Sequence, residues 1–125
     1  MLADTDAIAT IAVKDLKVAK KFYEGTLGLK PKPSEQETEA LEYKSGNSRV
    51  FVYRSQFAGT NKASAATWVV DDMDEVVRTL KGKGVTFEHY DLPGLTLKGD
   101  IHVAGKMKLA WLKDPDGNIL ALMGG

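Results

Sequence analysis

The two histidines, His89 and His102, are the side chains of this sequence best suited to acid–base or metal chemistry. An imidazole titrates near neutral pH, and its neutral form binds transition metals. His89 stands in the stretch "FEHYD", next to Glu88 and close to Asp91. Alternate side chains of a strand point to opposite faces, so His89 and Asp91 would share one face and Glu88 would lie on the other. Two donors are fewer than the three that catalytic zinc takes from protein, so we interpret His89 and Asp91 as an exposed edge-strand pair.

His102 stands in "LPGLTLKGDIHVAGK", the longest part of the chain without clear periodicity. Three glycines, Gly94, Gly99 and Gly105, make this stretch flexible, and long loops in compact domains often close over ligands. One interpretation is a lid in which His102 and Met107 cover a bound molecule. The other is a mobile surface loop with a solvated His102. The residues themselves leave both interpretations open.

Composition excludes several classes of function. The absence of cysteine excludes disulfides, thiolate metal sites and thiol catalysis. Seventeen basic residues balance seventeen acidic residues, which argues against broad attraction to nucleic acid or to a membrane surface. No phosphate loop, dinucleotide fingerprint or nucleophile elbow is present. The N-terminal "MLADTDAIAT" lacks the basic residues of a signal peptide, so we expect a soluble, cytoplasmic protein. We also expect no cofactor.

The elements that would position a site occur twice along the chain. The stretches "IAVKDLKVAKKFYEGTLGLKP" and "WVVDDMDEVVRTLKGKGVTFE" each contain a short apolar strand, an aspartate and an amphipathic helix that ends near glycine. Asp15 and Asp72 precede the helical pattern as N-caps should, with Glu75 spaced for a capping box. Gly28 and Gly84 stand where left-handed C-caps are expected.

Three candidate strands follow each helix, and each set contains a hairpin signal, "KSGNS" or "DPDGN". The order strand–helix–strand–strand–strand is therefore stated twice. We predict one domain over residues 1–125, with modules at about 5–54 and 64–125 and a polar linker at 55–63. The predicted strands after the helices are Lys30–Ser34, Thr38–Lys44 and Ser48–Arg54 in module one, and Thr86–Leu92, Lys108–Lys113 and Asn118–Met123 in module two.

The stretches "IAVKDLKVAKKFYEGTLGLKP", "WVVDDMDEVV" and "WLKDPDGNILAL" resemble the vicinal oxygen chelate superfamily. This superfamily includes glyoxalase I, extradiol dioxygenases, fosfomycin-modifying enzymes and bleomycin-binding resistance proteins. The similarity spans nearly the whole chain. It implies an α+β fold of two tandem βαβββ modules, in which a curved mixed sheet surrounds a cleft. Many members are homodimers, so the resemblance also implies a homodimer.

Enzymes of this superfamily usually hold a divalent metal through the first and last strands of each module. Carried over by the resemblance, these positions are Ile8 and Ala65 on the first strands, and Phe51 and Ala121 on the last strands. A metal site needs nitrogen, oxygen or sulfur donors, and none of these four side chains has one. We therefore expect no metal in the cleft.

Strand alternation extends this inference to the lining of the cleft. Residues on the same face as Ile8 would face the cleft, whereas Trp68 would face a helix. The predicted ligand-binding residues are Ile8, Thr10, Phe51, Tyr53, Thr67, His102, Met107, Ala121 and Met123. Such a mostly apolar set with a few hydroxyls is typical of a small-molecule pocket. The alternative is that these side chains fill the space as core; Trp111 is expected in the core or at a dimer interface.

These observations favour a metal-free protein that binds a small apolar or aromatic molecule, as bleomycin resistance proteins do. One alternative is a glyoxalase-like lyase or isomerase with relocated ligands, namely His89, Asp91 and His102. Another is a dimerising module with no ligand. We expect a small-molecule ligand and a second copy of the chain as partners, and neither nucleic acid nor a membrane.

Overall fold

The structure, a computed structural model, describes residues 1–32 and 40–125. Module one contains strand β1 (Ala9–Val13), helix α1 (Leu16–Lys20, continued by a π-helical turn over Lys21–Thr26), and strands β2 (Lys30–Pro31), β3 (Ala40–Ser45) and β4 (Ser48–Arg54). Module two contains strand β5 (Ser64–Val70), helix α2 (Met73–Gly82), and strands β6 (Phe87–Glu88), β7 (Thr96–Lys98), β8 (Ile101–Ala104), β9 (Met107–Lys113) and β10 (Ile119–Gly124). In this described part of the chain, neither helix has the length and apolar character needed to cross a bilayer.

The strands form two curved mixed sheets, which confirms the predicted α+β fold class. In module one the strand order is β1-β4-β3-β2, and β1 runs parallel to β4. In module two the order is β5-β10-β9-β8-β7, β5 runs parallel to β10, and β6 pairs with β9. Strands β1 and β5 lie next to each other, so the two sheets meet at the first strand of each module.

Both predicted N-caps are confirmed. The Asp15 carboxylate accepts a hydrogen bond from the backbone N–H of Lys17 at 2.8 Å, and Asp72 accepts one from Glu75 at 3.1 Å. These contacts satisfy N–H groups that have no partner within the first helical turn. In the described part of the chain, the reciprocal bond of the capping box is not formed, and the Glu75 carboxylate pairs with Arg78.

One hydrophobic core lies between the helices and one face of the two sheets. Strand alternation decides which side chains enter it: Ile11 and Val13 of β1 are buried, and Trp68 of β5 packs against the same cluster. The orientation predicted for Trp68 is therefore confirmed, and its indole N–H donates to the Ser45 hydroxyl at 2.9 Å. Other buried members of the core are Tyr23, Tyr43, Val50, Val52, Met73, Val77, Leu80, Leu112, Leu120 and Leu122.

The "DPDGN" sequence forms the turn between β9 and β10, and its first residue, Asp114, is buried. One carboxylate oxygen of Asp114 accepts the backbone N–H groups of Asp116 and Asn118, both at 2.9 Å. The other accepts the Tyr23 hydroxyl at 2.7 Å and the Asn118 side-chain amide at 2.8 Å. Burial, followed by the nearby Asp114 charge, raises the pKa of Tyr23. The turn of module two is thus bonded to the helix of module one.

Two further side chains of this turn bind the end of β1 and the linker. The Asn118 amide donates to the Ala12 carbonyl at 2.7 Å and accepts the Gly59 N–H at 3.3 Å. The Asp116 carboxylate accepts the backbone N–H of Lys14 at 3.2 Å. These bonds attach the β9–β10 turn of module two to the end of β1 and to the linker before β5.

Module two differs from the prediction between β6 and β9. The predicted strand Thr86–Leu92 is reduced to β6, and the stretch expected to be an irregular loop contains the hairpin β7–β8. Strand β6 pairs only with the Leu112 end of β9, whereas β8 pairs with the Met107 end. Strand β8 thereby pairs the backbone N–H and C=O groups of the β9 edge that β6 does not reach.

In module one, β4 has the predicted bounds. Strand β2 is limited to Lys30–Pro31, and β3 begins at Ala40 and extends to Ser45. The parts of the predicted strands Lys30–Ser34 and Thr38–Lys44 that fall within 33–39 lie outside the described residues.

Candidate functional site

The candidate site lies on the face of the two sheets that is turned away from the helices, which we call the open face. Paired residues on neighbouring strands point to the same side of a sheet. Thr10 pairs with Phe51 in module one, and Thr67 pairs with Ala121 in module two. Neither member of either pair belongs to the buried core cluster. His102 also lies on this face, because it pairs with Leu109 and Leu109 pairs with Met123. The predicted site residues on this face are Thr10, Phe51, Tyr53, Thr67, His102, Met107, Ala121 and Met123, with Ile8 immediately before β1.

Much of the open face is exposed to solvent despite its apolar character. Val69 is 76% exposed, Met107 48%, Ile8 41% and Tyr53 37%. The alternative that the inward-facing side chains fill the space as core is therefore wrong for this face. Ala121 and His102 differ, because both are buried.

Module one contributes an aromatic surface to the open face. The rings of Phe51 and Tyr53 lie nearly parallel, 17° apart, with their centroids separated by 6.1 Å. Thr10, beside Phe51, donates its hydroxyl to the Ile8 carbonyl at 3.4 Å and keeps its oxygen lone pairs. An apolar ring can stack on this surface, and hydroxyl oxygens beside it can accept a hydrogen bond.

His102 is fully buried in β8, so both interpretations of it as a loop residue are wrong. Its Nε2 accepts the backbone N–H of Tyr90 at 2.9 Å, which places the proton of the neutral ring on Nδ1. The ring packs edge-on against Trp111, with centroids 4.8 Å apart, and Tyr90 packs on Trp111 at 5.3 Å. His102 therefore holds the segment after β6 against the sheet, and it does not form a lid over a ligand.

Two polar atoms of this ring cluster, His102 Nδ1 and the Tyr90 hydroxyl, are buried without a hydrogen-bond partner in the described part of the chain. Burial raises the pKa of Tyr90. Trp111 is half-buried on β9 and was expected in the core or at a dimer interface, yet it lies outside the core cluster. A hollow of about 240 Å³ opens beside the cluster between Tyr90, Trp111, Leu92 and the end of the linker at Lys62.

His89 and Asp91 do not form the predicted edge-strand pair, because β6 ends before them. The His89 Nε2 lies 2.8 Å from an Asp100 oxygen, and the Lys81 ammonium group lies 2.7 Å from the other. The hydrogen bond from Lys81, followed by that from His89, lowers the pKa of Asp100. This network attaches the β7–β8 turn to α2.

The residues present do not fit the divalent metal that the resemblance implies. The four positions carried over are Ile8, Phe51, Ala65 and Ala121, all hydrocarbon side chains. Within residues 1–32 and 40–125, no three His, Asp or Glu side chains are grouped so that they could hold a metal ion. His102 is buried with Nε2 already bonded, and His89 is bonded to Asp100, so these two histidines do not replace the missing ligands.

The family model described as Glyoxalase/Bleomycin resistance protein/Dioxygenase superfamily matches residues 6–122. The chain belongs to this superfamily. No curated protein sequence matches the chain significantly.

Solved structures of this superfamily share the fold at low sequence identity. The chain is similar to a glyoxalase family protein from Enterococcus faecalis, with a TM-score of 0.72, 21% identity, and coverage of 98% of this chain and 99% of that one. It is also similar to the fosfomycin resistance protein FosX from Listeria monocytogenes, with a TM-score of 0.71, 14% identity, and coverage of 98% of this chain and 93% of that one. A third similar structure is lactoylglutathione lyase from Agrobacterium tumefaciens, with a TM-score of 0.70, 17% identity, and coverage of 98% of this chain and 94% of that one. At these identities the likeness concerns the fold alone.

Proposed function

We propose that this superfamily member binds a small, largely apolar or aromatic molecule on its open face, without a metal ion. The observation that carries the proposal is that all four metal-ligand positions hold hydrocarbon side chains. Exposed apolar and aromatic residues lie on the same face. Exposed apolar surface of this kind is typical of binding sites. Covering apolar area yields about 25 cal/mol per Å², so burial of roughly 200 Å² would contribute about 5 kcal/mol before the costs of association.

The polar groups of the open face would orient the ligand. Thr10, Thr67 and Tyr53 are exposed there, and each carries a hydroxyl that can donate or accept a hydrogen bond. Few polar groups in an apolar surround are typical of small-molecule sites. A resistance protein of the bleomycin-binding type, which sequesters a compound without changing it, matches this arrangement. A metal-dependent lyase or isomerase lacks a donor set among the described residues.

A homodimer is the assembly that we propose for this binding protein, with the cytoplasm as its location. The supporting observation is the exposure of Val69, Leu97 and Met107 at 76%, 42% and 48% on the second sheet. A second copy would cover these apolar side chains and add walls to the open face. Sedimentation velocity should give a dimer at micromolar concentration. A monomer that binds its ligand with full affinity would contradict this assembly.

The binding proposal is tested by blocking the open face. Thr67 is exposed, so Thr67→Trp adds an indole over the face without inserting volume into the core. Thr79→Trp, at an exposed position on α2, is the matched control. With a panel of neutral bicyclic aromatic amides such as 2-naphthamide, the parent and Thr79→Trp should show a ligand-dependent increase in Tm, whereas Thr67→Trp should show none. Equal increases in all three proteins would place the ligand elsewhere.

A further inference from the structure

Three cations lie in one row across the sheet of module one. Lys30 on β2 pairs directly with Lys44 on β3, and Lys44 pairs directly with Arg49 on β4. Residues paired in this way point to the same side of the sheet, with Cβ atoms about 4.5–5.5 Å apart. Like charges placed directly opposite each other destabilise a sheet. The row therefore calls for a compensating negative charge.

The row lies on the open face. Tyr43 and Val50, the neighbours of Lys44 and Arg49, are buried in the core on the helix side, so alternation turns the two cations to the other side. Arg49 also shares its face with the stacked ring of Phe51, two residues further along β4. The cations thus border the aromatic surface of the proposed binding site.

Among the residues that the structure describes, carboxylates compensate this charge only in part. Glu42 lies 2.8 Å from Arg49 and 3.8 Å from Lys32, a fourth cation next to the row. Within residues 1–32 and 40–125, no carboxylate forms an ion pair with Lys30 or Lys44, and both lysines are exposed. The chain as a whole is neutral, with seventeen charges of each sign, so the cluster does not simply reflect a basic composition.

Space for a ligand group is present beside these side chains. A hollow of about 570 Å³ is lined by the four cations, Pro31 and the β3–β4 turn. It is open to solvent, and its lining residue Arg49 is two residues from Phe51 along the same face of β4. A ring stacked on Phe51 and Tyr53 could direct a charged substituent toward Arg49 and Lys44.

We propose that the ligand of the open face is an anion, with an aromatic or apolar body on Phe51 and Tyr53 and a carboxylate, phosphate or sulfonate held by Lys44, Arg49 and Lys30. This inference rests on the proposed function and specifies its ligand class. Arginine and lysine donate charge-assisted hydrogen bonds to such groups. Because the cations are exposed, their attraction is screened by salt.

The test compares two probes of nearly the same shape, 2-naphthoate and its neutral amide, 2-naphthamide, by calorimetric titration. In 20 mM NaCl, 2-naphthoate should bind about fivefold more tightly, the size expected of exposed ion pairs. In 500 mM NaCl this preference should disappear. Lys44→Gln should bring the ratio of the two Kd values toward one. Lys20→Gln removes the same charge from an exposed position on α1 and should retain the preference.

The outcomes separate the two proposals. If 2-naphthamide binds and 2-naphthoate binds no more tightly, the anion inference is wrong and the binding function stands. If the preference is lost equally in Lys44→Gln and Lys20→Gln, it reflects overall charge, and the anion site is again contradicted. If neither probe binds the parent protein, both proposals fail together.

Discussion

Gly59 shows how one linker residue helps to hold the modules together. Its φ of 74° lies in the left-handed region, and its N–H donates to Asn118 in the turn of module two. A Cβ built at Gly59 would collide with the backbone carbonyl oxygen of Asp116. Glycine is therefore required both by the backbone angle and by the close approach of the turn.

Replacing Gly59 by alanine should destabilise the protein more than the same change at Gly46. Both glycines have positive φ values, 74° and 58°, so both variants incur left-handed strain of about 1 kcal/mol. A Cβ at Gly46 meets nothing within 4 Å, so only Gly59→Ala adds the collision with Asp116. We expect an additional loss of about 2 kcal/mol in the free energy of unfolding, measured with urea. Equal losses would mean that the linker moves away from the turn without cost.

Asp114 explains why the "DPDGN" motif begins with aspartate, because its carboxylate accepts four hydrogen bonds. Replacing its carboxylate by the amide of asparagine would turn an N–H₂ group toward at least one of its buried donors. Asp114→Asn should therefore lower the free energy of unfolding by about 2 kcal/mol, in the range for a buried polar group left without a partner. Asp116→Asn, in the same turn, keeps an oxygen for the Lys14 N–H and should cost clearly less. A similar loss in both variants would contradict the central role of Asp114.

Among the elements, the β7–β8 hairpin was missed in the sequence, although its signals are present. Gly99 and Gly105 each begin a two-residue turn, after Lys98 and after Ala104, and both have positive φ. Such turns favour glycine at their first central position. We interpreted the glycines as flexibility because the strands next to them, β7 and β8, are only three and four residues long and have little periodicity. The error also affected His102, whose alternation cannot be assigned before its strand is recognised.

The attachment of this hairpin to α2 should depend on pH. The bonds from Lys81 and His89 lower the pKa of Asp100 below its ordinary value of 3.8. A group whose pKa is lower in the folded state contributes stability above its unfolded pKa and loses it as the pH falls through the folded pKa. The difference in unfolding free energy between the parent and Asp100→Asn should thus be present at pH 6 and shrink below pH 3.8. A difference that stays constant down to pH 2 would contradict the ion pair.

At the scale of the whole molecule, the repeat predicted the order of strand, capped helix and strands in each module, and the family resemblance added the curved sheet around a cleft. Asp15 and Asp72 bond within a few residues, whereas the "DPDGN" turn forms local bonds and also bonds Tyr23 far away in the chain. Alternation then assigned Trp68 to the core side. The cationic row and the ring cluster around Trp111 were not predicted in this way, because they depend on the register in which neighbouring strands pair. Register appears only when the sheets are paired.

The central claim is that the open face binds an uncharged or anionic aromatic molecule with no metal ion. The direct test is a ¹H–¹⁵N NMR titration of chelator-treated protein with 2-naphthamide, followed by elemental analysis of the same sample. We expect shifts at the amides of Thr10, Tyr53, Thr67 and Val69, and less than about one tenth of a transition metal ion per chain. Shifts that appear only after zinc, nickel, manganese or iron is restored, or that fall on the helices instead, would contradict the claim.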